Sequence, residues 1–267
     1  MISTAELAKL AHRLGVSDRV IEKDYILSWL LIAIAESDLR KSLVFKGGTA
    51  LKLCYYPAYR FSEDLDFTLC SDLPHQGLVR AFETLFPGLG QRVNLALSLR
   101  SAEQSVFDST TLLIDYVGPL KARPGARRLK VDITRGELLL NPPVERPLQA
   151  TYSDYPKRVT LPTYTLEEIL TEKLCALIGR TEPRDLYDVN ALFKSGDVDL
   201  TFLPANVVAK CQHKGKDPDR LGAALDSKAA TFGKLWKPRL AVQVIDLPDL
   251  DDVLRSVRQH LRGLGLV

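Results

Sequence analysis

A short apolar strand that runs directly into two glycines and a helix constrains the fold of this chain most strongly. Residues 43–45 are apolar, Gly47 and Gly48 follow after one lysine, and a helical period resumes over residues 49–56. Glycine lets the backbone approach an anion closely, and the N–H groups at the start of a helix point towards it. The pattern predicts a strand–turn–helix able to cradle a phosphate, with a plain turn as the commoner alternative.

Two aspartates accompany the next predicted strand, residues 65–69. Side chains two positions apart on a strand share a face, so Asp64 and Asp66 point to one side and the apolar residues to the other. Like charges held this close favour a cation between them, and paired carboxylates beside a phosphate are typical of Mg²⁺ sites. The alternative is an edge strand with both carboxylates in solvent.

A third carboxylate, Asp132, lies on a strand predicted over residues 129–134. If this strand lies beside that of Asp64, three carboxylates could hold two metal ions. That arrangement is usual for nucleotidyl transfer, where one ion activates the attacking hydroxyl and the other holds the triphosphate. The pattern leaves the direction of the Asp132 side chain open, and a surface aspartate is an equal alternative.

Lys173 lies in the middle of a predicted helix, residues 166–178, close to an apolar stripe where an unpaired ammonium is costly. Asp188 lies on a second predicted helix, residues 184–193, beyond a turn that contains Gly179 and Pro183. Two antiparallel helices would bring the side chains together. The pair is either a structural ion pair or a lysine presented to a nucleoside triphosphate and oriented by Asp188.

The pattern of apolar residues divides the chain near residue 160. The first part mixes helices, including one over residues 76–85, with strands, including those over residues 93–99 and 110–117. Residues 136–164 are rich in proline and predict a long connection with short edge strands. We expect an α/β (α+β) protein, with a mixed-sheet domain over residues 1–160 and a helical domain over residues 161–267 that includes a helix over residues 219–230.

Composition excludes several classes of protein. The chain is 46% hydrophobic and 26% charged, unlike disordered or fibrous proteins. Its longest apolar run, residues 25–35, is shorter than the roughly 20 residues that cross a bilayer, so no membrane span is expected. The four cysteines lack the clustered spacing of a disulfide framework or zinc site, which favours a cytoplasmic protein.

Basic residues are concentrated in two segments. Residues 118–135 hold six lysines and arginines against one acid, and residues 205–240 hold eight against three. Such clusters favour a polyanion such as RNA as partner, with an ordinary solvated surface as the equal alternative. Arg127, Arg128, Lys214 and Lys216 are the side chains we expect on an RNA-binding surface.

Four blocks together resemble the AbiEii/MenT nucleotidyltransferase toxins, a family of the polymerase-β-like superfamily. The blocks are IEKDY at 21–25, FKGGTAL at 45–51, RFSEDLDF at 60–67, and EKL at 172–174 with RDLYD at 184–188. The resemblance implies the nucleotidyltransferase fold and a Mg²⁺- or Mn²⁺-dependent enzyme of the EC 2.7.7 type. It also implies a toxin that adds nucleotides from an NTP to the 3′ end of tRNA, releases pyrophosphate and is opposed by a winged-helix AbiEi-like antitoxin.

The resemblance assigns catalytic roles residue by residue. Asp64 and Asp66 match the metal-binding pair, and Asp132 matches the third carboxylate of the superfamily. Lys173 matches the triphosphate-binding lysine, and Asp188 matches the essential aspartate of the last motif. The helical domain would thereby complete the nucleotide site.

Nucleotide contacts are implied at Gly48 and Thr49, with threonine where serine is commoner, and at Lys173. Lys23 is a further candidate, for which a solvated helix surface is the equal alternative. Two other functions stay open, namely transfer to a small molecule or protein hydroxyl, and a non-catalytic NTP- or RNA-binding protein. Intact Asp64, Asp66 and Lys173 weigh against the non-catalytic reading, and the basic segments favour tRNA as acceptor.

Overall fold

The computed structural model describes residues 1–106, 109–149, 151–156 and 158–267. The chain forms two compact units. The first unit contains Met1–Glu137 and Pro143–Thr163, and the second contains Leu138–Pro142 and Tyr164–Val267. A five-residue segment in the middle of the chain therefore belongs to the second unit.

A mixed sheet of seven strands, counted over the described residues, forms the centre of the first unit. The strands are β1 (Leu43–Lys46), β2 (Asp64–Leu69), β3 (Ala96–Gln104), β4 (Thr110–Val117), β5 (Arg128–Thr134), β6 (Val144–Pro147) and β7 (Thr160–Thr163). Their order across the sheet is β3-β4-β5-β2-β1-β7-β6. The pairs β2/β5 and β1/β7 are parallel and the other pairs are antiparallel. The expected mixed sheet and α/β class are confirmed.

The first unit contains five α-helices among its described residues. They are α1 (Thr4–Arg13), α2 (Asp18–Ala35), α3 (Gly47–Ala50), α4 (His75–Glu83) and α5 (Leu85–Val93). The Ser3 hydroxyl accepts the Glu6 N–H and caps α1. Helix α3 continues as a π-helical turn, Leu51–Tyr55.

The expected helix over residues 76–85 and strand over residues 93–99 are corrected in part. Two helices, α4 and α5, occupy the segment, and α5 ends at Val93 because Asn94 takes the left-handed conformation that terminates helices. Strand β3 therefore starts three residues later than expected. Leu89 and Val93 are buried side chains of α5, so tertiary packing outweighs the low helix propensity of Gly88 and Gly90.

The described residues of the proline-rich segment contribute two strands to the sheet, only one of which is an edge strand. β6 lies at the edge, as expected for a strand that contains proline. β7 lies between β1 and β6, and Thr163 pairs with Phe45 of β1. The edge position expected for β7 is wrong, because the returning chain covers the side of β1 that would otherwise be open.

The second unit is helical over its described residues. Its helices are α6 (Leu166–Gly179), α7 (Pro183–Ser195), α8 (Leu203–His213), α9 (Leu221–Leu240) and α10 (Leu250–Gly263). Helix α9 runs ten residues beyond the expected end at residue 230, and buried Phe232 and Trp236 anchor the extension. No helix in the described part of the chain is long and apolar enough to cross a membrane.

A fully buried ion pair holds Leu138–Pro142 within the second unit. The Lys210 ammonium lies 2.6 Å from a Glu168 carboxylate oxygen and donates to the Leu138 carbonyl oxygen at 2.6 Å. The second oxygen of Glu168 accepts the N–H groups of Leu140 and Asn141. Because both charges are removed from water, each depends on the other for its stability.

Candidate active site

Strand β2, which carries Asp64 and Asp66, is adjacent to strand β5, which carries Lys130 and Asp132. Asp64 is opposite Lys130 and Asp66 is opposite Asp132 in the parallel register. The intervening residues of both strands, including Leu65, are buried in the core. The four charged side chains therefore share one face of the sheet, as the two-residue periodicity requires. The expectation that the Asp132 strand lies beside the Asp64 strand is confirmed.

Asp132 is held by two side chains of the sheet. Lys130 Nζ lies 2.6 Å from one carboxylate oxygen, and the Thr111 hydroxyl donates to the other at 2.7 Å. Partial burial opposes charge on Lys130, but the hydrogen bond to Asp132 and the carboxylates of β2 outweigh it and raise the pKa of Lys130. Among the described residues, no three His, Cys, Asp or Glu side chains are grouped so that they could hold a metal ion. Metal binding by Asp132 stays a prediction, and a metal ion there would compete with Lys130 for the carboxylate.

The two glycines that open α3, directly after β1, bring backbone against charged side chains. Gly47 has a φ of 81°, and a Cβ atom there would lie 2.5 Å from the Asp66 Oδ2 atom. A Cβ atom at Gly48 would lie 2.5 Å from Nη2 of the buried Arg60. A side chain at either position would force the carboxylate or the guanidinium to shift, and Gly47 also has a backbone conformation that L residues rarely adopt. The turn is therefore shaped around one carboxylate and one guanidinium.

The Thr49 hydroxyl, at the start of α3, is buried and donates to the Asp64 carbonyl oxygen at 2.5 Å. This bond ties the glycine turn to the first residue of β2. In this arrangement Thr49 positions the strand that carries both aspartates. Its predicted phosphate contact stays a prediction.

The beginning of α2 lies beside the beginning of β2. Lys23 Nζ is 3.8 Å from a carboxylate oxygen of Glu63, the residue before Asp64, and the Lys23 side chain is partly exposed. The neighbouring Glu22 is fully buried and accepts the Leu120 N–H at 2.8 Å, which anchors the loop that leads into β5. Helix α2 thus places one lysine near the aspartates and fixes the 118–127 loop.

Lys173 and Asp188 meet in the second unit, as the pattern of two antiparallel helices predicts. Lys173 Nζ is 2.8 Å from Asp188 Oδ2 and also 2.8 Å from Asp185 Oδ1. Arg180 reaches the other oxygen of Asp185 at 2.7 Å. Burial opposes ionisation of Asp185, but Lys173 and Arg180 outweigh it and hold the pKa of this carboxyl well below its usual range. The ammonium is therefore fixed between two buried carboxylates.

Three side chains of these clusters were not singled out from the sequence, although two lie within a recognised block and the third lies two residues from Asp132. Arg60 opens the RFSEDLDF block, and Lys130 precedes Asp132 by two residues, which places both on one strand face. Asp185 precedes Asp188 by three residues on α7, and residues with this spacing are neighbours on a helix surface. Strand periodicity around Asp132 would have found Lys130, and helix periodicity within the RDLYD block would have found Asp185.

The basic side chains expected on an RNA-binding surface are engaged within their own units. Their partners are Glu22 for Arg127 at 3.3 Å, Asp115 for Arg128 at 3.9 Å, Glu172 for Lys214 at 3.5 Å, and the Cys175 carbonyl oxygen for Lys216 at 2.9 Å. Arg128 is exposed despite this contact, and Lys121 and Arg123, on the 118–127 loop, are exposed as well. These two loop residues are further candidates for contact with a polyanion.

Residues 29–256 match the family model described as the nucleotidyl transferase AbiEii toxin of type IV toxin–antitoxin systems. The chain belongs to the AbiEii nucleotidyltransferase toxin family. The family supports an enzyme that carries out nucleotidyl transfer, and it implies an NTP substrate and an antitoxin partner. No curated protein matches this chain in a sequence search.

Solved structures show the same fold as this AbiEii-family chain. MenT4, a nucleotidyltransferase toxin from Mycobacterium tuberculosis H37Rv, aligns with a TM-score of 0.70 and 18% identity over 99% of this chain and 90% of its own. JHP933 from Helicobacter pylori aligns with a TM-score of 0.57 and 20% identity over 93% of each chain. At these identities the likeness concerns the fold, which is that of nucleotidyltransferase toxins.

Proposed function

We propose that this AbiEii-family toxin transfers a nucleotidyl group from an NTP to the 3′ end of tRNA with release of pyrophosphate. Modified tRNA could not be aminoacylated, so translation and growth would stop. The observation that carries the proposal is the position of Asp66, which lies beside Asp132 of β5 in the sheet and against the glycines that open α3. A carboxylate pair beside a turn of bare backbone suits a reaction whose catalysis depends on positioning and charge stabilisation.

The donor set of the first unit fits one divalent cation. Mg²⁺ is usually held by one or two carboxylates together with substrate phosphates, and Asp64 and Asp66 share one sheet face where both can serve. Gly47 places backbone without a side chain directly against the Asp66 carboxylate. When bound, Mg²⁺ or Mn²⁺ would neutralise phosphate charge and favour attack on the α-phosphorus.

The chain's own residues have separate tasks in this proposal. Asp64 and Asp66 bind the cation, and Gly48 with Thr49 lines the phosphates at the turn. Lys173 contributes a positive charge to the triphosphate, and Asp188 orients it by the 2.8 Å contact. An ammonium fixed by buried carboxylates loses less conformational freedom when it binds an anion.

Exposed positive charge on the 118–127 loop supports a nucleic-acid acceptor. This loop leads into β5, and β2 and β5 begin at the same end of the sheet, where Asp64 lies opposite Lys130. Lys121 and Arg123 are exposed on it. Proteins hold RNA backbones mainly through such side chains, so an acceptor end brought to Asp64 would find phosphate contacts close by.

The central test is a transfer assay with purified protein, total tRNA, Mg²⁺ and each of the four α-labelled NTPs in turn. We expect label on tRNA with one or more of the nucleotides and equimolar pyrophosphate. Asp66→Asn, which removes a charge with little change of volume, should abolish labelling. Label on the protein or on a small molecule would favour the alternative acceptors, and absence of any transfer with intact NTP binding would favour a non-catalytic protein.

The acceptor surface has its own test, with matched double variants. Lys121→Ala with Arg123→Ala should weaken tRNA binding and lower the slope of log affinity against log salt by about 1.4 to 1.8, since each lost phosphate contact removes about 0.7 to 0.9. The control is Lys234→Ala with Lys237→Ala, which removes two exposed charges from α9. Equal effects of both pairs would mean that charge in general, and not this loop, binds RNA.

We propose a winged-helix protein of the AbiEi type as the antitoxin and the cytoplasm as the site of action. Support comes from the type IV toxin–antitoxin description of the family and from the tRNA substrate proposed above. Expression of the toxin with and without a neighbouring winged-helix gene would test the assignment. Growth arrest that such a gene does not relieve would contradict it.

A further inference from the structure

The 118–127 loop, which joins β4 to β5, is long for a connection between neighbouring antiparallel strands. Such strands are usually joined by about two to five residues, and longer loops often carry functional side chains. The Lys121 N–H donates to the Gly118 carbonyl oxygen at 2.9 Å, and the Ala126 N–H donates to the Arg123 carbonyl oxygen at 3.0 Å. Lys121 has a φ of 50°, which residues other than glycine keep only where their surroundings fix it. The loop therefore has a defined shape.

Buried Glu22 of α2 holds this loop near both of its ends. Its Oε1 atom accepts the Leu120 N–H at 2.8 Å, and its Oε2 atom lies 3.3 Å from Arg127 Nη1. A Cβ atom at Gly118 would lie 3.1 Å from Oε1, so glycine lets the loop pass close to the carboxylate. The side chains of Glu22 and Arg127 are 0% and 20% exposed, so salt screens their attraction weakly. Glu22 thus fastens the beginning and the end of the loop to α2.

The next residue of α2 contacts the start of the strand that carries the two aspartates. Lys23 Nζ is 3.8 Å from a carboxylate oxygen of Glu63, which directly precedes Asp64. β2 and β5 are parallel, so the loop before β5 and the residue before Asp64 lie at the same end of the sheet. One turn of α2 therefore contacts the loop through Glu22 and the start of β2 through Lys23.

The loop presents positive charge at this end of the sheet. Lys121 and Arg123 are exposed, and so is Arg128, the first residue of β5. Proteins hold RNA largely through its phosphates, and a loop that is already fixed in its binding conformation loses less freedom when it binds. The contacts of Glu22 therefore affect where these charges lie, although Glu22 is buried and would not touch the RNA.

We propose that Glu22 is a positioning residue for the RNA acceptor. Through Leu120 and Arg127 it fixes the 118–127 loop in the conformation that presents Lys121 and Arg123 to the RNA backbone, at the end of the sheet where Asp64 lies. The proposal rests on the tRNA acceptor proposed above. Binding of tRNA without NTP and hydrogen exchange of the loop test it independently of nucleotidyl transfer.

The experiment breaks the ion pair between Glu22 and Arg127 from either side. Glu22→Gln removes a negative charge and Arg127→Met removes a positive one, so the net charge changes in opposite directions. Because Glu22 positions the loop, both variants should weaken tRNA binding about tenfold, roughly the cost of ordering one or two side chains. The KM for tRNA should rise equally, with kcat and the KM for NTP nearly unchanged. An effect of charge alone would instead make Glu22→Gln bind tRNA more tightly.

Hydrogen exchange and proteolysis show whether the loop itself responds. In both variants the amides of residues 118–127 should exchange faster than in the wild type, and trypsin should cleave faster after Lys121. Arg127→Lys, which keeps the charge, should restore most of the tRNA affinity. Arg92→Met is the matched control, because it also removes a cation, one that pairs with Glu36 at the other end of α2. It should change neither tRNA binding nor the exchange of the loop.

The outcomes separate this proposal from the proposed function. Tighter or unchanged tRNA binding by Glu22→Gln would overturn the inference, and so would loop exchange that neither variant accelerates. Circular dichroism melts check folding, and Glu22→Gln decides alone if Arg127→Met does not fold. A wild-type protein that binds tRNA as predicted but transfers no nucleotide would reject the proposed function and leave the inference standing. Lack of tRNA binding by the wild type would reject both.

Discussion

Replacement of Gly47 by alanine tests how closely the glycine turn and Asp66 depend on each other. The added Cβ atom would lie 2.5 Å from Asp66 Oδ2, whereas ordinary contacts begin at 3.4 Å. The carboxylate must therefore move by about 0.9 Å or the turn must open. Displacements near 1 Å in an active site cost roughly 10²-fold in rate, and metal–ligand distances tolerate only about 0.2 Å.

Gly15→Ala is the matched control. Gly15 also has a positive φ, 64°, but a Cβ atom there would have no neighbour within 4 Å. Both variants should lose roughly 1–2 kcal/mol of unfolding free energy, since alanine is strained in the left-handed region. Only Gly47→Ala should also displace Asp66.

The assay compares kcat/KM for nucleotidyl transfer and the Mn²⁺ affinity of the two variants, with urea denaturation as the measure of stability. We expect activity to fall about 10²-fold in Gly47→Ala and to stay within a few-fold of wild type in Gly15→Ala. Weaker Mn²⁺ binding should accompany the loss. If Gly47→Ala is as active as Gly15→Ala, the contact with Asp66 has no part in catalysis and the site assignment built on it fails.

The second unit supplies three further predictions. Glu168→Gln should lower the free energy of unfolding by about 3–5 kcal/mol in urea denaturation, because Lys210 would keep a buried charge without its carboxylate. Stability should fall as the pH drops from about 5 towards the lowered pKa of Asp185, because Asp185 stabilises the folded protein only while its carboxylate is ionised. Thermal melts across this pH range measure the loss of stability. Lys173→Met should weaken NTP binding at least tenfold in calorimetry, since charge-assisted contacts to the phosphates are lost.

Each of these predictions has a defined failure. A change below 1 kcal/mol in Glu168→Gln would show that water or relaxation compensates the buried charge. Asp185→Asn should flatten the acid dependence of stability, and an unchanged profile would assign that dependence to other carboxylates. Unchanged NTP affinity in Lys173→Met would reduce the contact between Lys173 and Asp188 to a structural ion pair.

Local periodicity was sufficient to predict much of the site. Two-residue spacing placed Asp64 and Asp66 on one strand face, and helical spacing with a turn between two helices brought Lys173 to Asp188. Both inferences concern residues close in sequence, for which backbone geometry alone decides direction. The mixed α/β class followed from the same alternation of strand and helix patterns.

Boundaries and packing partners depended on distant parts of the chain. Helix α5 forms despite two glycines because Leu89 and Val93 are buried, and α9 continues past residue 230 because Phe232 and Trp236 find a core. Sequence windows contain no information about the surface that receives such side chains. Burial of apolar side chains therefore outweighed local secondary-structure propensity in both helices.

The sequence by itself determined which residues carry charge and which face of their own strand or helix they occupy. The tertiary structure decided which charges meet. Arg127 forms an ion pair with buried Glu22, and Lys130 forms one with Asp132. The sequence pattern had placed both basic residues in one segment, 118–135, without indicating these partners. The reason is physical: strand order and register bring together residues far apart in the chain, and the energy of a charge depends on the partner it meets and the water it loses.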